Sequence, residues 1–394
     1  MPAVIDDRSF DLVLFGATGF TGGLTAEYLA RSGPASLRWA IAGRNRAKLE
    51  AVRERLEAIG GAAPVPELLI ADVGDRGSLD AVAAAARVVL TTVGPYSLYG
   101  EPLVAACAAA GTDYADLTGE PGFVDRMWTR HHAQAERSGA RLVHCCGFDS
   151  IPHDLGAYFT VQQLPEGVPL RVDGYAQVGA EFSGGTHHSA VNGLARPWQT
   201  LGAARQRRVE EPRSSRGIHS APARIGRAPG GGWAAPLPTI DGAVVRRSAA
   251  ALERYGPDFT YGHHLRAKHL TSIAALAGGV AAAAAMAPLP PTRKLLMTVL
   301  RSSGEGPSPE TRAKSWFKVT FVGEGGGERV VTEVSGGDPG YDETAKMLAE
   351  SGLCLAFDRL PQTAGQVTTA TAMGDALTAR LRGAGIEFRV VEGR

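Results

Sequence analysis

The sequence predicts an α/β fold: a doubly wound parallel sheet followed by a second, α+β domain built on an antiparallel sheet. Three observations predict it. Phe10 to Phe15 is an apolar run of core-strand type that feeds directly into Gly16-Ala17-Thr18-Gly19-Phe20-Thr21-Gly22 and a helical segment. Strand and helix patterns then alternate with short connections up to about residue 150, as parallel sheets require. Beyond Ile151 the pattern changes to the β-branched and aromatic alternation of antiparallel strands.

In order, a helix is expected over Thr21 to Ser32, a strand over Leu37 to Ala42, an amphipathic helix over Asn45 to Ile59 and a strand over Glu67 to Ala71. The series continues with a helix at Leu79 to Ala86, a strand at Val88 to Thr92, a helix at Glu101 to Ala110, and a short strand at Thr112 to Ala115. A helix at Phe123 to Ser138 and a sixth strand at Arg141 to His144 complete it. Residues 1–150 therefore read as a complete dinucleotide-binding (Rossmann) domain, with ligands at the carboxyl ends of its strands. Residues 151–340 read as a second domain, with strands at Arg171 to Phe182, Trp316 to Gly323 and Glu328 to Ser335. Residues 341–394 add helices at Tyr341 to Ala356 and Gly374 to Gly383 and a strand at Ile386 to Val391, packing back on the first domain.

The glycines carry the chemistry of the first turn. Gly16 permits the tight turn, Gly19 lets the backbone approach a pyrophosphate, and Gly22 lets the helix sit close to the sheet. The helix N-terminus offers free N–H groups to phosphate oxygens, so Thr18, Phe20 and Thr21 join the glycines as cofactor candidates. An NAD site places an acid about 20 residues past the turn, on the ribose 2′-hydroxyl. Here that stretch reads Ala42-Gly43-Arg44-Asn45-Arg46, with Lys48 beyond. A guanidinium binds a 2′-phosphate where a carboxylate would repel it, so NADP(H) is the expected cofactor, held by Arg44, Asn45 and Lys48. Asp72 follows strand three and could accept the adenine amino group or cap a helix. Thr92, Val93, Gly94, Pro95 and Tyr96 follow strand four and should run past the nicotinamide ribose.

Composition excludes several classes. In 394 residues, 41 Lys and Arg balance 40 Asp and Glu, so no global field favours nucleic acid. Cys107, Cys145, Cys146 and Cys354 lack metal-ligand or disulfide-framework spacing. Met1 to Arg8 has no apolar core of signal-peptide type, and a cytoplasmic protein is expected. Arg205 to Gly232, rich in Arg, Pro, Ser and Gly, reads as a long loop, either solvated or a docking surface for an acidic partner. Leu270 to Pro291 is uncharged throughout but Ala- and Gly-rich. It reads as a helix buried in the protein or lining an apolar channel, with a peripheral membrane contact or a true span as alternatives. His187-His188 and His263-His264 have no matching carboxylate spacing, and no metal is expected. Nothing in the sequence sets an oligomeric state.

With Gly16 to Gly22, Ala42-Gly43-Arg44 and Tyr114-Ala115-Asp116-Leu117-Thr118-Gly119-Glu120, the chain resembles the saccharopine dehydrogenase-like oxidoreductases. Further stretches are similar to the trans-acting enoyl reductase branch of that family. These are Gly147 to Gly156, Arg247-Ser248-Ala249 with Tyr255-Gly256-Pro257, and Ser335 to Tyr341 followed by Thr344 to Met347. The resemblance implies NADPH-dependent reduction of a carbon–carbon double bond on a polyketide- or lipid-derived acyl chain, acting in trans on a synthase and with a carrier protein as one form of delivery. A saccharopine-type amino-acid or imine dehydrogenase and a non-catalytic NADP-binding scaffold at lipid surfaces are the other readings.

Alkene reduction needs a hydride at the β-carbon, a donor to the enolate oxygen and a proton for the α-carbon. Tyr96 is the leading candidate for the donor, and Asp149 and His153 are candidates for the proton. Asp116 and Glu120, at the end of strand five, could orient the ribose or cap the following helix.

Overall fold

The computed structural model describes residues 8–179, 197–287, 292 and 306–393. Its first sheet has seven strands in the order β14-β6-β5-β4-β1-β2-β3, all parallel. The strands are β1 (Phe10–Phe15), β2 (Trp39–Gly43), β3 (Glu67–Ile70), β4 (Ala86–Thr91), β5 (Asp113–Asp116), β6 (Arg141–Val143) and β14 (Gly365–Val367). Helices α1 (Phe20–Ser32), α2 (Arg46–Ile59), α3 (Arg76–Ala85), α4 (Tyr96–Tyr99), α5 (Glu101–Ala110) and α6 (Pro121–Ser138) alternate with them. Strand order reverses between β1 and β4, the switch point at which ligands bind such sheets. Burial follows from the sequence: all of β1 and β2 is buried, as expected of strands covered on both faces.

The first 150 residues do not complete this sheet. Its seventh strand, β14, comes from the C-terminal region, and the helix Asp342–Phe357 packs against α1, β1, β4 and β5. Close approach depends on Gly352, where a Cβ would lie 2.7 Å from both Leu12 and Leu90. The last strand, β15 (Glu387–Glu392), leaves this layer and pairs with β13 of the other sheet.

The second sheet has eight strands and is mostly antiparallel. Its order is β15-β13-β12-β7-β11-β10-β9, with β8 also paired to β11. The members are β7 (Leu170–Gly179), β8 (Gly217–Ser220), β9 (Gly226–Arg227), β10 (Trp233–Pro236), β11 (Asp258–Ala267), β12 (Trp316–Gly325), β13 (Glu328–Gly336) and β15. Helix α7 (Ile151–Val161) joins the layers: it starts at the end of β6 and lies on β7, β12 and β13. At Gly156 a Cβ would sit 2.3 Å from the Phe321 ring, so only glycine allows that packing.

Two segments differ from the sequence expectation. Arg205 to Gly232 is not one long loop: the helix Pro197–Glu210 runs into it, and β8 and β9 follow. Its arginines are partly structural. Arg207 is buried, pairs with Glu211 and Asp125, and stacks over Trp128 at 5.1 Å. Arg216 donates to the carbonyls of Ala249, Ala250, Leu252 and Gly256, satisfying the end of a helix. The apolar segment forms the helix Leu270–Met286, but only Ile273 is buried on it, so it neither fills a core nor lines a closed channel. Ala and Gly contribute too little apolar area to drive its burial. Among the described residues no helix is long and apolar enough to cross a membrane. Residues 288–291 of this segment, Ala180 to Phe182 of the expected strand and His187-His188 lie outside the described residues.

Candidate active site

The glycine turn is built as its spacing requires. Gly16 has φ +98°, in the left-handed region, and its N–H donates to Ala42 O on β2 at 2.9 Å. A Cβ on Gly22 would lie 2.2 Å from Gly16 O and 2.7 Å from Thr92 Oγ1, so α1 can start against the turn only with glycine there. Thr92 donates to Gly16 O at 3.2 Å, and the Val93 side chain packs on Gly16, which ties the end of β4 to the turn. Thr18 and Gly19 are exposed, and the first turn of α1 holds no acid and no side-chain cap. Those N–H groups are left for an anion.

The Phe20 ring is committed elsewhere. It meets Tyr341 edge-on at 4.8 Å and lies beneath the Arg312 guanidinium at 5.4 Å, so residues 306–312 and 338–344 close over the turn. Thr21, next along α1, is half-buried.

At the end of β2, Arg44 and Lys48 are exposed, and among the described residues neither has an ion-pair partner. Asn45 caps α2, its side chain accepting from Lys48 N at 3.0 Å. Asp72 folds back on its own turn, with Oδ1 accepting from Gly74 N at 2.8 Å, which leaves Oδ2 for a ligand. Both cations, Arg44 and Lys48, are therefore available to a ligand at the end of β2.

At the ends of β4 and β5, Tyr96, Asp116 and Glu120 are each engaged by the protein itself. Tyr96 is buried: its hydroxyl donates to Thr91 O at 3.0 Å and accepts from Leu117 N at 3.2 Å. Burial, then the Asp116 carboxylate, push its pKa well above the phenol range. The hydroxyl is a strut between the ends of β4 and β5. Asp116, fully buried, accepts from Tyr114, Thr118 N, Cys145 N and His144 Nδ1, the last at 2.6 Å, so it organises the strand ends. Glu120 accepts from Tyr96 N and Ser97 N at 2.8 and 3.0 Å and fixes the loop holding Gly94 and Pro95, with Gly94 itself exposed.

The loop after β6 places the remaining candidates. Phe148 N donates to Thr344 Oγ1 at 3.0 Å, and Gly147 packs on Leu117 and Thr344, so the C-terminal motif clamps this loop. Asp149 is half-buried, with its carboxylate over Gly119, where a Cβ would lie 2.6 Å from Oδ2. Burial, then the charge of Asp241, push its pKa up to about 7, although His153 pulls the other way. That places a carboxyl able to give or take a proton near neutral pH at the carboxyl ends of β5 and β6. His153 is only 2% exposed and packs against the Phe148 and His263 rings, so it does not present an acid to an open cleft.

Sequence reasoning missed Asp241 as the partner of His153 and His263: one carboxylate lies 3.2 Å from His153 Nδ1 and 3.4 Å from His263 Nε2. Burial works to raise Asp241, but the two imidazoles outweigh it and hold the carboxyl well below its usual range. Burial lowers His263. The three residues come from three separate elements, and no spacing along the chain announces them. A cavity of about 660 Å³ at the amino ends of β4 to β6, lined by Arg8, Asp113 and Arg141, contains none of the predicted residues.

The comparisons with known proteins agree with this geometry. The family model of the saccharopine dehydrogenase NADP-binding domain matches residues 12–143. A putative trans-acting enoyl reductase of Mycobacterium tuberculosis is 41% identical, covering 97% of each chain. A trans-acting enoyl reductase of Mycobacterium leprae is 38% identical, again over 97% of each. Among solved structures, the saccharopine dehydrogenase (L-Glu forming) of Saccharomyces cerevisiae aligns over 97% of this chain and 99% of its own with a TM-score of 0.55. At 12% identity, that likeness concerns the fold alone. The chain is an NADP-dependent oxidoreductase and belongs to the trans-acting enoyl reductase family, on a saccharopine dehydrogenase-like fold.

Proposed function

We propose that this protein is an NADPH-dependent enoyl reductase that saturates a carbon–carbon double bond of a polyketide- or lipid-derived acyl substrate. One observation carries the reading: 41% identity over nearly the full length to a putative trans-acting enoyl reductase, in a chain whose strand ends present the half-buried acid Asp149.

The residues present fit the cofactor. Thr18, Gly19 and the N–H groups at the start of α1 would hold the pyrophosphate, Arg44 and Lys48 the 2′-phosphate, and Thr92 to Pro95 would border the nicotinamide ribose. Bound NADPH supplies the hydride. Asp149 delivers the proton to the α-carbon, its pKa pushed up to about 7 chiefly by burial. Residues 306–312 and 338–344, closed over the turn through Phe20 and Tyr341, help to exclude water. Carrier-protein delivery of the acyl chain extends this reading, and the exposed apolar helix Leu270–Met286 supports a peripheral contact with a lipid surface.

The test is isotopic. With NADPH deuterated at C4 and an enoyl thioester, the label should appear at the β-carbon of the saturated product; oxidation of NADPH with no label there removes enoyl reduction as the reaction. Cofactor choice is a separate expectation. NADPH should bind at least tenfold more tightly than NADH, about 1.4 kcal/mol, and Arg44→Asp should erase the preference. Equal affinities of the wild-type protein in fluorescence titrations would overturn that role for Arg44.

A further inference from the structure

Two imidazoles and a carboxylate converge where α7, the helix Asp241–Ala251 and β11 meet. His153 and Asp241 are 2% and 3% exposed, and the His263 side chain 7%. One potential ligand atom from each residue can be chosen so that all three lie within 4.8 Å of one another. Although His153 Nδ1 is 3.2 Å from Asp241 Oδ1, the two are not aligned as a hydrogen bond. Among the described residues neither ring nitrogen of His153 nor Asp241 Oδ1 has a hydrogen-bond partner. Buried polar atoms are rarely left so. A water would satisfy one of them; a cation between the residues would take one His153 ring nitrogen and Asp241 Oδ1 together, with His263 beside them.

We propose that His153, Asp241 and His263 bind one divalent transition-metal ion of the zinc class. Zinc takes imidazole nitrogen and carboxylate oxygen at about 2.0–2.2 Å, so adjacent ligands in a tetrahedron stand about 3.3 Å apart. The observed separations, 3.2 Å from His153 Nδ1 to Asp241 Oδ1 and 3.4 Å from His263 Nε2 to Asp241 Oδ2, are close to that edge, each to a different carboxylate oxygen. Nitrogen ligands select against magnesium and calcium, which prefer all-oxygen shells. Supporting groups are in place: Thr239 Oγ1 donates to the Asp241 carboxylate and lies 3.0 Å from His263 Nε2, a contact the ion would replace, and the Tyr261 hydroxyl lies 3.4 Å from His263 Nδ1. Charge points the same way, because among the described residues neither of the buried carboxylates Asp154 and Asp241 is ion-paired to Lys or Arg. His263, Thr239 and Gly242 line a cavity of about 200 Å³, a route by which an ion can enter and a place for a water on the fourth position. Bound there, the ion pins the start of α7 to the second sheet.

The experiment reads metal rather than turnover, so its outcome is separate from that of the reductase reading. The full-length protein is stripped with a chelator and titrated with ZnCl2 by calorimetry, with the thermal midpoint followed in parallel. The expected result is one equivalent per chain at submicromolar affinity and a midpoint several degrees higher, since an ion bound only by the folded state stabilises it. Asp241→Asn, nearly the same shape, and His263→Gln should each weaken binding at least a hundredfold. Cobalt substitution of the wild-type protein should give the intense visible bands of a tetrahedral nitrogen–oxygen site, a readout that needs no variant to fold. No stoichiometric binding, a cobalt spectrum of octahedral type, or zinc bound equally by wild type and variants would each overturn the proposal.

Discussion

Gly22→Val should weaken NADPH binding by at least a hundredfold, about 2.7 kcal/mol, and lower folding stability by about 1–3 kcal/mol. The reason is geometric. Even the first carbon of a side chain at this position would lie 2.2 Å from Gly16 O and 2.8 Å from Gly16 C, both backbone, so relief requires the turn or α1 to move. That movement withdraws the N–H groups at the start of α1 from the pyrophosphate. Gly23 provides the control. A Cβ there would meet chiefly the far end of the flexible Arg55 side chain at 2.9 Å, so the strain is readily relieved. Gly23→Ala should bind NADPH normally and gain a few tenths to about 1 kcal/mol from helix propensity. Fluorescence titration and urea unfolding of both variants decide it. Binding by Gly22→Val within threefold of wild type would show that α1 does not anchor the cofactor.

That contrast also marks what the chain makes legible. The β1–turn–α1 unit is local: three glycines at fixed spacing between an apolar strand and a helix leave little else for the backbone to do, and Arg44 follows by counting to the end of β2. The parallel alternation was equally readable, because each strand and helix carries its own period. Side-chain commitment was not. Tyr96, Asp116 and Glu120 stand at the strand ends where a cofactor site is expected, yet Leu117 N, His144 and Tyr96 N claim them, partners set by tertiary packing. The segment after Arg205 was misread from composition, although Gln206 and Arg207 each stand four residues before Glu210 and Glu211, a helical signal that the structure realises as two contacts. Burial of the helix Leu270–Met286 could not be judged from hydropathy, because an Ala-rich face is nearly neutral toward burial.

Asp149→Asn should lower kcat for enoyl reduction on the order of a hundredfold, the usual scale for removing a positioned general acid, while leaving NADPH affinity unchanged. Asn keeps the shape over Gly119 but has no acidic proton to give, and among the described residues the Asp149 carboxylate makes no hydrogen bond whose loss would disturb the loop. Tyr96→Phe should do the opposite. It removes the hydroxyl between Thr91 O and Leu117 N, leaving two buried backbone groups unpaired at a cost of about 1–3 kcal/mol of stability. Its kcat, measured below the lowered unfolding midpoint, should stay within a few fold of wild type. The pair separates the two roles because a proton donor acts in the transition state alone, whereas a strut acts in every state of the folded chain. Single-turnover reduction in deuterated water adds a direct readout: wild-type enzyme should place solvent deuterium on one face of the α-carbon, and Asp149→Asn should lose that facial selectivity along with rate. If Asp149→Asn keeps both, the proton comes from elsewhere in the cleft; if Tyr96→Phe loses kcat at full stability, the buried hydroxyl reaches the substrate after all.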